Sequence, residues 1–128
     1  MDSDNPLLEK TISFAIRIVK CYQYLQNEKK EFVMSKQLLR CGTSIGANVH
    51  EAIYGQSRAN FASKLNISLK EASETSYWIV ILSRTGFLDE ILYKSIKYDL
   101  DEIIRILIAS LKTTRKNEKY TGKINPDE

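Results

Sequence analysis

Proline is nearly absent from this sequence, and the two that occur, Pro6 and Pro126, leave everything between them free of obligatory helix breakers. Glycine is scarce at five residues, and no Asn-Gly or Asp-Gly pair marks a β-hairpin. No Val/Ile/Thr-rich alternating segment competes with a helical reading. Two cysteines, Cys21 and Cys41, are too few for a disulfide scaffold. The longest apolar run is six residues, Tyr77 to Leu82, where a membrane span needs about 20. The chain is therefore expected to make no membrane association through a spanning helix. Its first residues, Met1-Asp2-Ser3-Asp4, are acidic and lack the basic-then-apolar order of a signal peptide. The expected location is the cytoplasm, where both thiols would stay reduced.

What is present is one domain's worth of chain, 128 residues with 43% hydrophobic and 27% charged content, which is apolar enough to bury a core. The spacing predicts four helices, at about 6–27, 35–55, 57–85 and 89–114, followed by a flexible tail at about 115–128. Asn5 and Pro6 form a cap and first-turn pair. Ser35 is the expected cap of the second helix, and Ser57 that of the third. Gly86 stands where a C-terminal glycine stop belongs. Short loops between long helices make sequential neighbours antiparallel, so the expected fold is all-α, an up-down-up-down four-helix bundle.

Helix 1 carries more apolar surface than one core requires. Leu7, Phe14, Ile18, Cys21 and Leu25 make one stripe, and Leu8, Ile12, Ala15, Val19 and Tyr22 make a second. In helix 4, only Arg105 interrupts the apolar residues from Ile103 to Ala109. Large exposed apolar patches are uncommon on monomers, so the extra stripes predict an oligomer. Helix 2 contains the small-residue segment Cys41-Gly42-Thr43-Ser44-Ile45-Gly46-Ala47-Asn48. Two glycines inside a helix cost about 1 kcal/mol each relative to Ala, and a closely approaching helix is the expected compensation. Asn48 and Glu51 would lie beside that face as a buried structural network.

Catalytic patterns are incomplete. His50-Glu51 opens like the zinc-protease motif His-Glu-x-x-His, but position 54 is Tyr. A di-iron bundle needs Glu-x-x-His, and the residue three before His50 is Ala47. Arg40 lies ten positions before His50, too far for a short Arg-His ribonuclease pair. Cys21 and Cys41 read as core residues, and Ser44 lacks the strand-turn-helix setting of a nucleophile elbow. Glu71 and Glu74 share a helix side and could form an acid/base pair, but a solvated or salt-bridged helix face is the stronger reading. No catalytic residue, metal ligand or cofactor is assigned, and an enzyme is the weakest of three readings.

Charge is more informative. Between Lys10 and Arg84 eleven basic residues face five acidic ones, and Lys112 to Lys123 adds five basic residues and one acid. Such clustering suits a phosphate backbone. The candidate nucleic-acid-binding residues are Arg17, Lys20, Lys29, Lys30, Arg40, Arg58 and Lys64, assisted by Arg115, Lys116 and Lys119. Their expected role is sequence-independent phosphate contact. The alternative is a protein-interaction scaffold without direct nucleic-acid contact.

Several segments resemble a known family. They are Gln37-Leu38-Leu39-Arg40, then Ser44-Ile45-Gly46-Ala47-Asn48 with Glu51, then Phe61, Leu65, Ile67-Ser68, Glu71-Ala72 and Glu74. Together they resemble the bacterial four-helix bundle family first noted in intervening sequences of 23S ribosomal RNA genes. The most specific part is carried here by Ser44, Ile45, Ala47, Asn48 and Glu51. Ala52 stands where the family often has Gly after that Glu, which bears on where helix 2 ends. The resemblance implies an antiparallel bundle assembled as a homopentamer. It extends to the accessory protein of diversity-generating retroelements, a basic pentamer that binds nucleic acid and a reverse transcriptase. It supplies no catalytic residues, and most members have no known biochemical role.

Overall fold

Asn5 caps the first helix: its Oδ1 accepts from the Leu8 amide at 3.0 Å, and Pro6 follows at the first helical position. The computed structural model describes residues 5–55 and 57–120, with side chains through residue 116. Four helices follow one another, α1 (Pro6–Asn27), α2 (Met34–Ile53), α3 (Arg58–Arg84) and α4 (Glu90–Tyr120), and no strand occurs among the described residues. No helix there is long and apolar enough to cross a membrane. α4 continues past Thr114, so the helix overruns the expected start of the tail at residue 115 by six residues. Residues 121–128 lie outside the described residues.

The helices pack in the cyclic order α1, α2, α3, α4 and back to α1, with the α1–α4 seam the sparsest. Their core positions alternate in steps of three and four. α3 buries Leu65, Ser68, Ala72, Thr75, Ile79 and Leu82, and α2 buries Leu38, Gly42, Ile45, Val49 and Ala52. This near-3.5-residue period keeps one seam of each long helix turned inward. α1 adds Leu8, Phe14, Ile18 and Leu25, and α4 adds Ile96, Leu100, Ile103, Leu107 and Leu111. Polar core positions are satisfied locally or across helices. Thr11 donates to the Leu8 carbonyl, Thr75 to Glu71, and Ser68 on α3 to the Ile45 carbonyl on α2 at 2.8 Å. The last bond ties two helices through an otherwise orphan lone pair.

Ser57 caps α3 by accepting from the Asn60 amide, and Gly86 takes φ +86° at the α3–α4 turn. Asp89 Oδ1 accepts from the Leu92 amide at the entry to α4. α2 departs from expectation, because Ser35 lies inside its first turn and does not cap it. The carboxylate of Glu31 does so, accepting from the amides of Val33, Met34 and Ser35 at 3.1, 3.1 and 2.6 Å. Ser35 instead donates its hydroxyl to the Glu31 carbonyl. The Glu31 amide reaches back to the Leu25 carbonyl at the end of α1, around Lys30 at φ +55°. One residue thereby closes α1 and opens α2. Ala52 is buried, and α2 ends one residue after it.

Burial alone would raise the Glu31 carboxyl, but the amides of Ser35, Met34 and Val33 outweigh it and hold the group below its ordinary value. A lowered folded pKa stabilises above the unfolded value, about 4.3, and that contribution is lost as pH falls through the folded value. Replacing Glu31 with Gln is expected to cost about 1 kcal/mol at neutral pH, the usual worth of a cap. The difference in urea midpoint between the wild type and E31Q should shrink as pH drops below about 4; a gap constant with pH would remove the carboxylate from this role.

Candidate functional site

The Ser44–Glu51 segment is built for close helix approach. A Cβ placed on Gly42 would stand 2.8 Å from Ile18 Cγ2 and 2.9 Å from its Cγ1, and one on Gly46 would stand 3.1 Å from Thr11 Cβ and Oγ1. Ile45 is buried, and its carbonyl receives Ser68. Ser44 donates to the Arg40 carbonyl, and Asn48 Nδ2 donates to the Ser44 carbonyl, both within α2. Ala47 is exposed, and Glu51, also exposed, meets Lys64 of α3 at 3.3 Å. The expected buried Asn48–Glu51 network is therefore replaced by a half-buried amide that bonds its own helix and a surface ion pair. The reason is register, since Val49 and Ala52 take the inward positions.

Among the described residues, Arg17, Arg40 and Lys64 of the ten candidate cations are shown paired with acids of the same chain. Arg17 reaches Asp99 at 2.7 Å and the Ser95 hydroxyl on α4. Arg40 bridges from α2 to Glu71 at 3.0 Å and to Glu74 on α3, while the Trp78 indole also donates to Glu74. The Arg40 hydrogen bond, joined by that of Trp78, outweighs desolvation and holds the Glu74 carboxyl low. Lys64 pairs with Glu51 as described. The sequence expectation of a salt-bridged Glu71–Glu74 face is met, with Arg40 as the partner.

Lys20, Lys29, Lys30, Arg115 and Lys116 are exposed and make no ion pair among the described residues. Arg58 is the first residue of α3, and the Lys119 side chain lies outside the described residues. The antiparallel order sends these groups to opposite ends. Lys29 and Lys30 sit where α1 passes to α2, whereas Arg58, Arg115 and Lys116 belong to the other end. Along α4, Arg105, Lys112, Arg115 and Lys116 follow one another with no acid between them.

His50 is exposed, with its ring centroid 4.7 Å from that of Tyr54. Both thiols are buried. Burial pushes Cys21 up to about 11 against a smaller pull from Arg17, and burial likewise raises Cys41. Burial thus disfavours the thiolate form of both.

An apolar groove of about 320 Å³ lies between α1 and α2, walled by Ile12, Ala15, Ile16 and Val19 on one side and Thr43, Gly46, Ala47 and His50 on the other. Ile16 is 53% exposed and Val19 38% exposed. Helix 1 periodicity gave the second stripe including Val19, but Ile16 was missed because it flanks that stripe on the side away from the first, one turn from both Ile12 and Val19. The signal available was the small-residue wall opposite it.

The model of the 23S rRNA-intervening sequence protein family matches residues 3–109. This chain belongs to that family. A solved structure with the same fold comes from Bacteroides thetaiotaomicron VPI-5482 and is described as a protein of unknown function from the S23 ribosomal protein family. It is 55% identical, with a TM-score of 0.82, over 83% of this chain and 98% of that one. No curated protein matches this sequence. The region matched to the 23S rRNA-intervening sequence family contains the close-packed α1–α2 seam and the groove, whereas Arg115, Lys116 and Lys119 lie beyond it. Gly42→Ala tests the seam in this family member. Despite the gain of about 1 kcal/mol in helix propensity, the overlap with buried Ile18 should leave a net loss of about 1–2 kcal/mol. Thermal unfolding of G42A checks this, and a raised melting temperature would contradict it.

Proposed function

We propose that this 23S rRNA-intervening sequence family member is a non-enzymatic, self-associating helical bundle. The α1–α2 groove carries the reading: Ile16 and Val19 are exposed and, with the half-buried Ile12, face small residues of α2. A second copy seated there would remove this surface from water, at a gain of about 25 cal/mol per Å² of apolar area. The homopentamer implied by the resemblance is the stoichiometry proposed. Two buried thiols suit a reducing compartment, so the cytoplasm is the proposed location. Ile16→Glu with Val19→Glu should reduce the solution mass measured by light scattering to that of one 14.7 kDa chain while the helical circular dichroism persists. An unchanged mass would remove the groove from the assembly.

A second activity, sequence-independent contact with nucleic-acid phosphates, is favoured by the acid-free run of Arg105, Lys112, Arg115 and Lys116 on α4. A protein partner such as a reverse transcriptase, implied by the resemblance, would be compatible with such a scaffold. Binding of a fluorescent structured RNA should weaken steeply with salt. Arg115→Glu with Lys116→Glu should flatten the slope of log affinity against log salt by about 1.5–2. Salt-independent binding, or a slope unchanged in the variant, would refute phosphate contact at this site.

A further inference from the structure

We propose that the loop joining α1 to α2 is a docking surface for a partner protein, engaged through an acidic segment that carries large apolar side chains. The inference stands apart from the groove, because none of the loop residues lines it.

The loop inverts the usual burial order. Glu31 is 8% exposed, while its neighbours Phe32 and Val33 are 50% and 73% exposed. Burying a carboxylate is costly unless it is hydrogen-bonded, and here three amides of the first turn of α2 meet it. The Glu31 amide is fixed to the Leu25 carbonyl at 2.9 Å, and the Ser35 hydroxyl to the Glu31 carbonyl at 2.8 Å. The backbone on both sides of Phe32 is thereby locked, so the two apolar side chains are displayed from a rigid support. A rigid display spends little conformational entropy when a partner binds.

Charge selects the partner. Lys29, Lys30 and Lys36 flank the apolar pair within four residues along the chain, are exposed, and make no ion pair among the described residues. Glu31 is turned inward, which leaves Glu28 as the exposed acid of the loop. Apolar anchors with cations on either side of them in the chain complement carboxylates flanking a large apolar residue. Nucleic acid fits less well, because Val33, the more exposed of the pair, has no π face on which a base can stack. A membrane fits less well too: even a whole myristoyl chain binds only marginally, and two side chains bury less.

The test is selection of a random dodecapeptide display library on the full-length protein, counter-selected on the Phe32→Ser/Val33→Ser variant. Enriched peptides should carry net negative charge with Leu, Phe or Trp. One of them, synthesised with a fluorescent label, should bind about tenfold more weakly to that variant and to Lys29→Glu/Lys30→Glu, and should weaken with salt. Both variants alter exposed side chains, and circular dichroism verifies their fold. Enrichment no greater than on the variant, or enrichment of neutral or basic peptides, would overturn the proposal. So would a changed solution mass for F32S/V33S, which would make the loop a contact between copies. Loss of binding to a uridine oligonucleotide or to phosphatidylserine vesicles, with the peptide unaffected, would reassign the surface.

Discussion

α1 and α2 can pack as they do only because α2 presents hydrogen atoms where other residues carry a Cβ. Gly42 receives Ile18, and Gly46 receives Thr11. This approach determines much of the rest. It brings the α2 backbone far enough inward for the Ile45 carbonyl to receive Ser68 of α3, and so links three helices through one segment. It also leaves the α2 wall low. The apolar residues of α1 on that side are then flanked by Thr43, Gly46 and Ala47 rather than covered by bulkier side chains, and a groove results. Interior packing and the exposed groove are two outcomes of one choice of residue size.

Electrostatics divides the outer surface into regions of different character. Arg40 clasps α2 to α3 from outside, with Trp78 adding a bond to the same acid. Lys10 pairs with Glu102 and Arg17 with Asp99 across α1 and α4, while Lys97 and Asp101 pair within α4. Exposed pairs of this kind contribute about 0–1 kcal/mol each. Their larger effect is to occupy these cations within the chain, while Lys20, Lys29, Lys30, Arg115 and Lys116 stay without an ion pair among the described residues.

How far the sequence could be read depends on the distance between interacting groups. The caps at Asn5 and Ser57 and the stop at Gly86 were legible because each acts within a few residues of itself. The two glycines of α2 announced a close approach, since nothing else offsets their cost in a helix. Glu31 was not legible as the cap of α2, because its carboxylate reaches forward over Phe32 and Val33 only in this loop conformation. Arg17 and Arg40 read as surface cations because their acids lie 82 and 31–34 positions away. For Asn48 and Glu51 the motif was recognisable, but whether each faces inward depends on a helix register that Val49 and Ala52 decide. The four-helix order survived these local misreadings because a core seam repeated along each helix tolerates errors at single positions.

The sparse seam between α1 and α4 has a consequence for how the chain comes apart. It is closed largely by partly exposed ion pairs, and α4 is joined to α3 through the turn that Gly86 makes at φ +86°. With the fewest contacts to break, that seam is where local opening costs least, and such opening would expose Phe14 and Ile103.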